Sequence, residues 1–168
     1  MKPITRPYGI LLTGSFLWCA IIVFPPLQHF CAWATGPANA IYHSFASICH
    51  QMDSRSYHLF GHKFAVCARC TAIYFGFLFG VILAPIVDRR PASHPLVIWL
   101  MAVAPMLVDV LLDILSIHNS TIATRTITGG WFGLFAGMMM VPLFAEAFKD
   151  LFHSIATDER KLHGSLSK

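Results

Sequence analysis

Apolar positions along this chain gather into four charge-free runs separated by short polar segments. No Asp, Glu, Lys or Arg lies between Pro7 and Met52, and within that stretch Tyr8–Leu27 is an apolar run closed by Pro25-Pro26. The runs Cys70–Val87, Pro91–Val108 and Thr126–Ala145 follow. Each approaches the ~20 residues a helix needs to cross a hydrocarbon core of ~30 Å. The pattern predicts an all-α integral membrane protein, a bundle of four transmembrane helices at about 9–25, 68–87, 96–116 and 126–145. They form a single membrane domain over 1–168. The first run follows Lys2 and Arg6 as a signal peptide would, but it is long enough to span and is read as a retained helix.

The segments between the runs have patterns of their own. In the long loop 28–67, Ile41, Phe45 and Ile48 recur at helical spacing after Gly36-Pro37, with His43, Ser47 and His50 on another face. This predicts a short helix lying at the membrane interface. In the tail 146–168, Phe148, Leu151, Phe152 and Ile155 extend a stripe begun by Phe144, ahead of the charged run Asp158–Lys161. That predicts an amphipathic C-terminal helix on the cytoplasmic side. Small residues also recur at helix-packing spacing: Gly76 and Gly80 on the second span, Gly129, Gly133 and Gly137 on the fourth. Such stripes let backbones approach closely in lipid, and packing within the chain is the reading favoured over a dimer face.

Composition agrees with the pattern. Of 168 residues, 12% are charged, against roughly 25% in soluble domains, and the mean hydropathy is +0.62. A disordered chain, a coiled coil and an ordinary soluble enzyme are excluded. The net charge of +4 does not indicate nucleic-acid binding, because the basic residues fall between apolar runs and form no stripe. They set the topology instead. With the N-terminus inside, Lys2, Arg6, Arg89, Arg90, Lys149, Arg160, Lys161 and Lys168 are cytoplasmic, and Arg55, Lys63, Arg69 and Arg125 lie outside. Eight against four satisfies the positive-inside rule. A five-span alternative, with 28–50 also crossing, divides the same residues evenly. The expectation is a multi-pass protein of the plasma (inner) membrane, N-in and C-in. Its surroundings are the lipid bilayer and, if it is a non-catalytic subunit, other membrane chains.

This topology collects the unusual polar residues on one side. Cys49, His50 and Arg55 lie in the outer loop, and Cys67, Arg69 and Cys70 open the second span. Asp109 and Asp113 sit one turn apart in the outer half of the third, and Arg125 opens the fourth. Ionisable groups in a bilayer are costly and normally pair or line a polar cavity. A structural pair, Asp109 or Asp113 with Arg125 or Arg69, is the favoured reading. A transport path is disfavoured, because Leu96–Pro105 offers no polar residues toward the other face.

The cysteines admit two readings. Cys67 and Cys70 form a two-ligand knuckle, and Cys49 and His50 add donors 18 residues earlier. Zinc prefers four N/S ligands of this kind, so Cys49, His50, Cys67 and Cys70 are the candidate set. Neighbouring side chains on a helix point about 100° apart. Cys49 and His50 can therefore share a metal only if the helix ends before them; His58 and His62 are substitutes. The other reading is redox: a CxxC at a helix start beside Arg69 favours a depressed thiol pKa. Cys67–Cys70 with Cys31–Cys49 would then form a two-disulfide relay, and Cys19 would be an inert packing residue.

The string Cys49-His50-Gln51, Arg55-Ser56 and Val66-Cys67-Ala68-Arg69-Cys70-Thr71, with Ile73, Tyr74 and Gly76, resembles the hallmark of a small prokaryotic membrane-protein family known as a domain of unknown function. The likeness continues to Asp109, Arg125, Thr128 and Gly129 and so spans most of the chain. It implies an integral membrane protein and no settled activity. The four spans with a CxxC opening the second also resemble the quinone-linked thiol oxidases of the DsbB type and their vitamin K epoxide reductase relatives. That likeness implies thiol–disulfide exchange with a quinone. This chain departs from the pattern in having no cysteine in Ser116–Arg125 and no Arg shortly after Cys70.

Overall fold

The computed structural model describes residues 5–30, 34–87, 95–117 and 120–166. Cys31, Arg89, Arg90, Lys2 and Lys168 lie outside the described residues. The chain is mostly helical. Among the described residues five α-helices run in order: α1 (Thr5–Val23), α2 (Thr35–Ala46), α3 (Ala68–Leu83), α4 (Pro95–Ile114) and α5 (Ile122–Leu166). Leu96–Ile114 and Ile122–Leu151 are long and apolar enough to cross a membrane. Pro7–Val23 and Ala68–Leu83 are shorter apolar helices.

Two boundaries differ from the sequence expectation. The short helix α2 ends at Ala46, leaving Cys49 and His50 outside it. The fourth run does not stop at 145: α5 continues unbroken for 45 residues and carries Pro142 within it. The tail from 146 is therefore the same helix as the apolar run. The chain offers no Gly or further Pro between Pro142 and Gly164 to stop it.

The five glycines draw α3 and α5 together. A Cβ on Gly76 would collide with the carbonyl oxygen of Gly130, on Gly80 with that of Leu134, on Gly133 with that of Ile73, and on Gly137 with that of Phe77. On Gly129 it would lie 2.7 Å from the Arg69 carbonyl oxygen. Residue numbers rise together across this contact, so α3 and α5 are parallel. The stripes are occupied within one chain. α1 packs on α3 and α5, and α4 packs mainly on α5.

The segment after α2 folds over the start of α3. A two-stranded hairpin pairs β1 (His58–Leu59) with β2 (His62–Lys63) in antiparallel register. Its turn places Phe60 at φ 53° and Gly61 at φ 78°, two left-handed residues of the kind that suits the twist of a hairpin. The loop is fastened to α1 by Ala65 N–H donating to Ile22 O at 3.1 Å. Ile22, Phe45, Cys49, Ala65 and Val66 form one apolar cluster, with Trp18 edge-on to Phe45 and to Tyr74.

Candidate metal centre

The helix ends and the loop deliver three sulfurs to one place. Cys67 is the N-cap of α3, with extended backbone at φ −65° and ψ 164°, and Cys70 lies in the first turn. Cys49 arrives from the loop, where its Sγ accepts the backbone N–H of Cys67 at 3.2 Å. The three Sγ atoms all lie within 4.8 Å of one another. Cys49 is 7% exposed, and the other two are half-buried. The Cys67 thiol is pushed well below its ordinary range, first by the hydrogen bond from Cys49 and then by that from Cys70. Burial opposes this, and the backbone N–H groups of Cys70 and Arg69 assist it. The cluster therefore favours a thiolate, the form that binds metal and attacks disulfides.

Gln51 holds the loop in this position. Its backbone is left-handed, φ 49°, which is uncommon outside glycine. Its side-chain amide donates to Tyr42 O and to Ala65 O, each at 2.8 Å, tying the end of α2 to the approach of α3. Lys63 Nζ donates to Gln51 O at 3.0 Å, and the Tyr42 hydroxyl bonds Lys63 O. Ser56 is buried and donates to Met52 O at 2.8 Å.

A cavity of about 370 Å³ opens beside the sulfurs. Its lining includes Cys49, Cys67 and Cys70 together with Arg55, Arg69, Asp113 and Arg125. His50 also lines it; its ring is exposed and stands outside the three-sulfur cluster. His58 and His62 are on the hairpin instead, paired with Asp53 at 3.1 Å and with Gln28 at 2.9 Å. Cys19 is buried in α1, its thiol toward Tyr74 O.

The acids and arginines form one network. Arg69 pairs with Asp109. Arg125 Nη2 donates to Asp113 Oδ2 at 2.8 Å, and Arg55 Nη1 reaches the same oxygen at 3.3 Å. Ser120 joins both acids: its hydroxyl donates to Asp109 Oδ1 at 2.9 Å, and its N–H to Asp113 Oδ1 at 3.2 Å. Arg125 and Asp109 are buried. The network joins the loop, the starts of α3 and α5 and the C-terminal part of α4, and shares a cavity with the sulfurs. Ser120 was not singled out by the sequence, and Gln51 only as part of the Cys49-His50-Gln51 string, with no structural role assigned. A serine between two spans and a glutamine beside CH carry no spacing signal of their own.

A helical membrane protein with a three-cysteine cluster beside an arginine–aspartate network is the class these features define. The chain belongs to the family described as "Predicted membrane protein (DUF2085)", which it matches over residues 49–155, a stretch containing all three cysteines. It is 37% identical over 150 residues to an uncharacterized protein of Methanocaldococcus jannaschii, covering 84% of this chain and 95% of that one. It is 29% identical over 85 residues to an uncharacterized protein of Methanothermobacter thermautotrophicus, covering 51% of this chain and 77% of that one. No solved structure matches the chain.

Proposed function

We propose that this is a four-span protein of the plasma membrane, N-in and C-in, whose Cys49, Cys67 and Cys70 hold a zinc ion on the outer side. The observation that carries the reading is the approach of all three sulfurs within 4.8 Å. Zinc–sulfur bonds of ~2.3 Å need sulfurs about 3.8 Å apart, so only a small contraction is required. The Cys67 N–H to Cys49 Sγ bond supports a thiolate in the way ligand-orienting hydrogen bonds do. His50 is the proposed fourth ligand, because α2 ends at Ala46 and leaves the chain free to turn its ring into the cavity. A site with four protein ligands is closed and structural. Its role would be to fasten the outer loop to the start of α3, with Asp109, Asp113, Arg55, Arg69 and Arg125 fastening the remaining helices.

One observation also favours a thiol–disulfide exchange site of the DsbB type, using a quinone: the lowered Cys67 thiol with Cys49 and Cys70 both beside it. Metal analysis with thiol counting on the purified full chain separates the two, since a sulfur bound to zinc is not in a disulfide. One zinc per chain, lost in Cys49→Ser, supports the metal. A metal-free protein with a Cys67–Cys70 or Cys49–Cys67 disulfide that a partner thiol reduces overturns it in favour of exchange.

A further inference from the structure

We infer that the cavity beside the sulfurs holds the phosphate group of a membrane lipid, with Arg55 as the residue that takes it. The inference rests on α4 and α5 spanning the membrane and is independent of any metal. The hydrogen bonds around the cavity use up the acceptors and leave donors over. Asp113 receives Arg125, Arg55 and the Ser120 N–H, and Asp109 receives Arg69 and the Ser120 hydroxyl. The Cys67 thiolate offsets part of the positive charge, but its hydrogen bonds come from Cys49, Cys70 and the backbone N–H groups of Cys70 and Arg69. Arg55 is placed differently. Among the described residues its side chain donates through Nη1, at 3.3 Å, to an oxygen that Arg125 already holds at 2.8 Å. It lines the cavity and keeps its side chain 44% exposed. Arg69 is also unsaturated, its buried Nε having no partner among the described residues. A group entering this cavity therefore meets guanidinium donors, and what it must bring is acceptor oxygens.

Size, lining and depth decide which acceptor it is. At about 370 Å³ the cavity lies near the lower end of ligand pockets, roughly 300–1,000 Å³. It has room for a phosphate and its polar ester, while acyl chains must lie outside. The lining combines the guanidiniums with Ile48, Met52, Val110 and Ile114, and of these Ile48, Met52 and Ile114 are largely exposed. A free inorganic anion gains nothing from such an apolar rim; a lipid does. Ile114 closes the apolar stretch Leu96–Ile114, which is long enough to cross a membrane. The cavity is thereby set where hydrocarbon gives way to headgroups, the level of lipid phosphates. A guanidinium matches two phosphate oxygens with parallel N–H bonds, and basic pockets between spanning helices bind lipid headgroups in this way.

The test titrates the delipidated full chain, in a neutral detergent, with three probes: short-chain phosphatidylglycerol, diacylglycerol with the same chains, and glycerol 1-phosphate. Native mass spectrometry counts what is bound, and calorimetry gives the affinity. One phosphatidylglycerol per chain is expected. Diacylglycerol, lacking the phosphate, and glycerol 1-phosphate, lacking the chains, should each bind at least about tenfold more weakly. Arg55→Gln should weaken phosphatidylglycerol binding about tenfold, as loss of a charge-assisted pair does. Arg55→Lys, which keeps the charge and loses the fork, should fall between. Lys149→Gln, far along α5, should leave binding unchanged. Diacylglycerol as tight as phosphatidylglycerol, Arg55→Gln as tight as the parent, or an equal loss in Lys149→Gln overturns the inference. Glycerol 1-phosphate as tight as the lipid overturns it in favour of a soluble phosphate ester. A chain that alkaline carbonate strips from membranes without detergent overturns the spanning reading itself.

Discussion

The indole Nε1–H of Trp131 on α5 donates to the carbonyl oxygen of Met101 on α4 at 3.3 Å. Met101 lies four residues before Pro105, so its carbonyl is one that a proline deprives of its helical donor. In an apolar surrounding an unpaired carbonyl is costly. One side chain of the neighbouring helix thus completes the ladder that α4 cannot close, and it does so about two turns before Asp109.

This relationship makes a double-mutant prediction. Trp131→Phe should destabilise the protein by about 1 kcal/mol, the usual range for a lost hydrogen bond within a membrane bundle or a core. Pro105→Ala restores a backbone N–H toward Met101. In that background the cost of Trp131→Phe should fall by at least half, apart from packing. Detergent-denaturation midpoints of the four proteins check this; additive costs would disprove the compensation.

Breaking the Arg69–Asp109 pair should cost more when done from one side. Asp109→Asn or Arg69→Gln leaves a buried charge unmatched, and about 3 kcal/mol is expected for each. The double variant should be less destabilised than either single. Unfolding midpoints give the comparison, and a double variant worse than both singles would contradict the pairing.

The glycine contact predicts a sharp contrast between helices. Gly80→Ala and Gly133→Ala place a methyl group against a backbone carbonyl of the facing helix, which cannot move aside without parting α3 from α5. A loss of about 2–3 kcal/mol is expected, as for overpacking generally. Gly9→Ala and Gly14→Ala in α1 meet nothing within 4 Å and should be neutral or stabilising by about 0.5–1 kcal/mol. Thermal unfolding in one detergent compares all four.

The lowered Cys67 thiol gives a pH prediction for metal-free protein. Alkylation follows the thiolate fraction. An ordinary thiol, with pKa near 8.5, slows about tenfold per pH unit below that value. Cys67 should react at nearly the same rate from pH 8.5 down to pH 6, because its thiolate persists there. Cys49→Ala removes the largest cause of the shift and should restore a steep decline at low pH. Peptide mass mapping of timed alkylation measures it.

The apolar runs made α1, α3, α4 and the first half of α5 legible, because helix length in lipid is written as the distance between charges. The same logic hid the continuity of α5, whose tail reads from sequence as a separate amphipathic helix. Charged residues mark where a helix leaves the membrane, but a helix ends only where hydrogen bonding is interrupted. The three cysteines were legible as donors, and Arg69, Arg125, Asp109 and Asp113 as a cluster, since nothing else on the chain offsets such groups. Which arginine meets which acid was not, because it depends on helix rotation. Arg55 and Arg125 end on one oxygen of Asp113, a sharing that no spacing encodes. The hairpin over His58–Lys63 had Gly61 as its single signal, and Phe60 adopts a left-handed backbone that its residue type gives no reason to expect.

The unbroken length of α5 has a mechanical consequence. Forty-five residues rise about 67 Å at ~1.5 Å each, more than twice a hydrocarbon core of ~30 Å. Arg125 grips Asp113 at one end of this rod, and the glycine seam holds its upper third against α3 as a fulcrum. A tilt of about 5° around that fulcrum moves the remote end by roughly 4 Å. A rotation at the glycine seam is thus enlarged along the helix, and Pro142, between seam and remote end, is where a bend would reduce it.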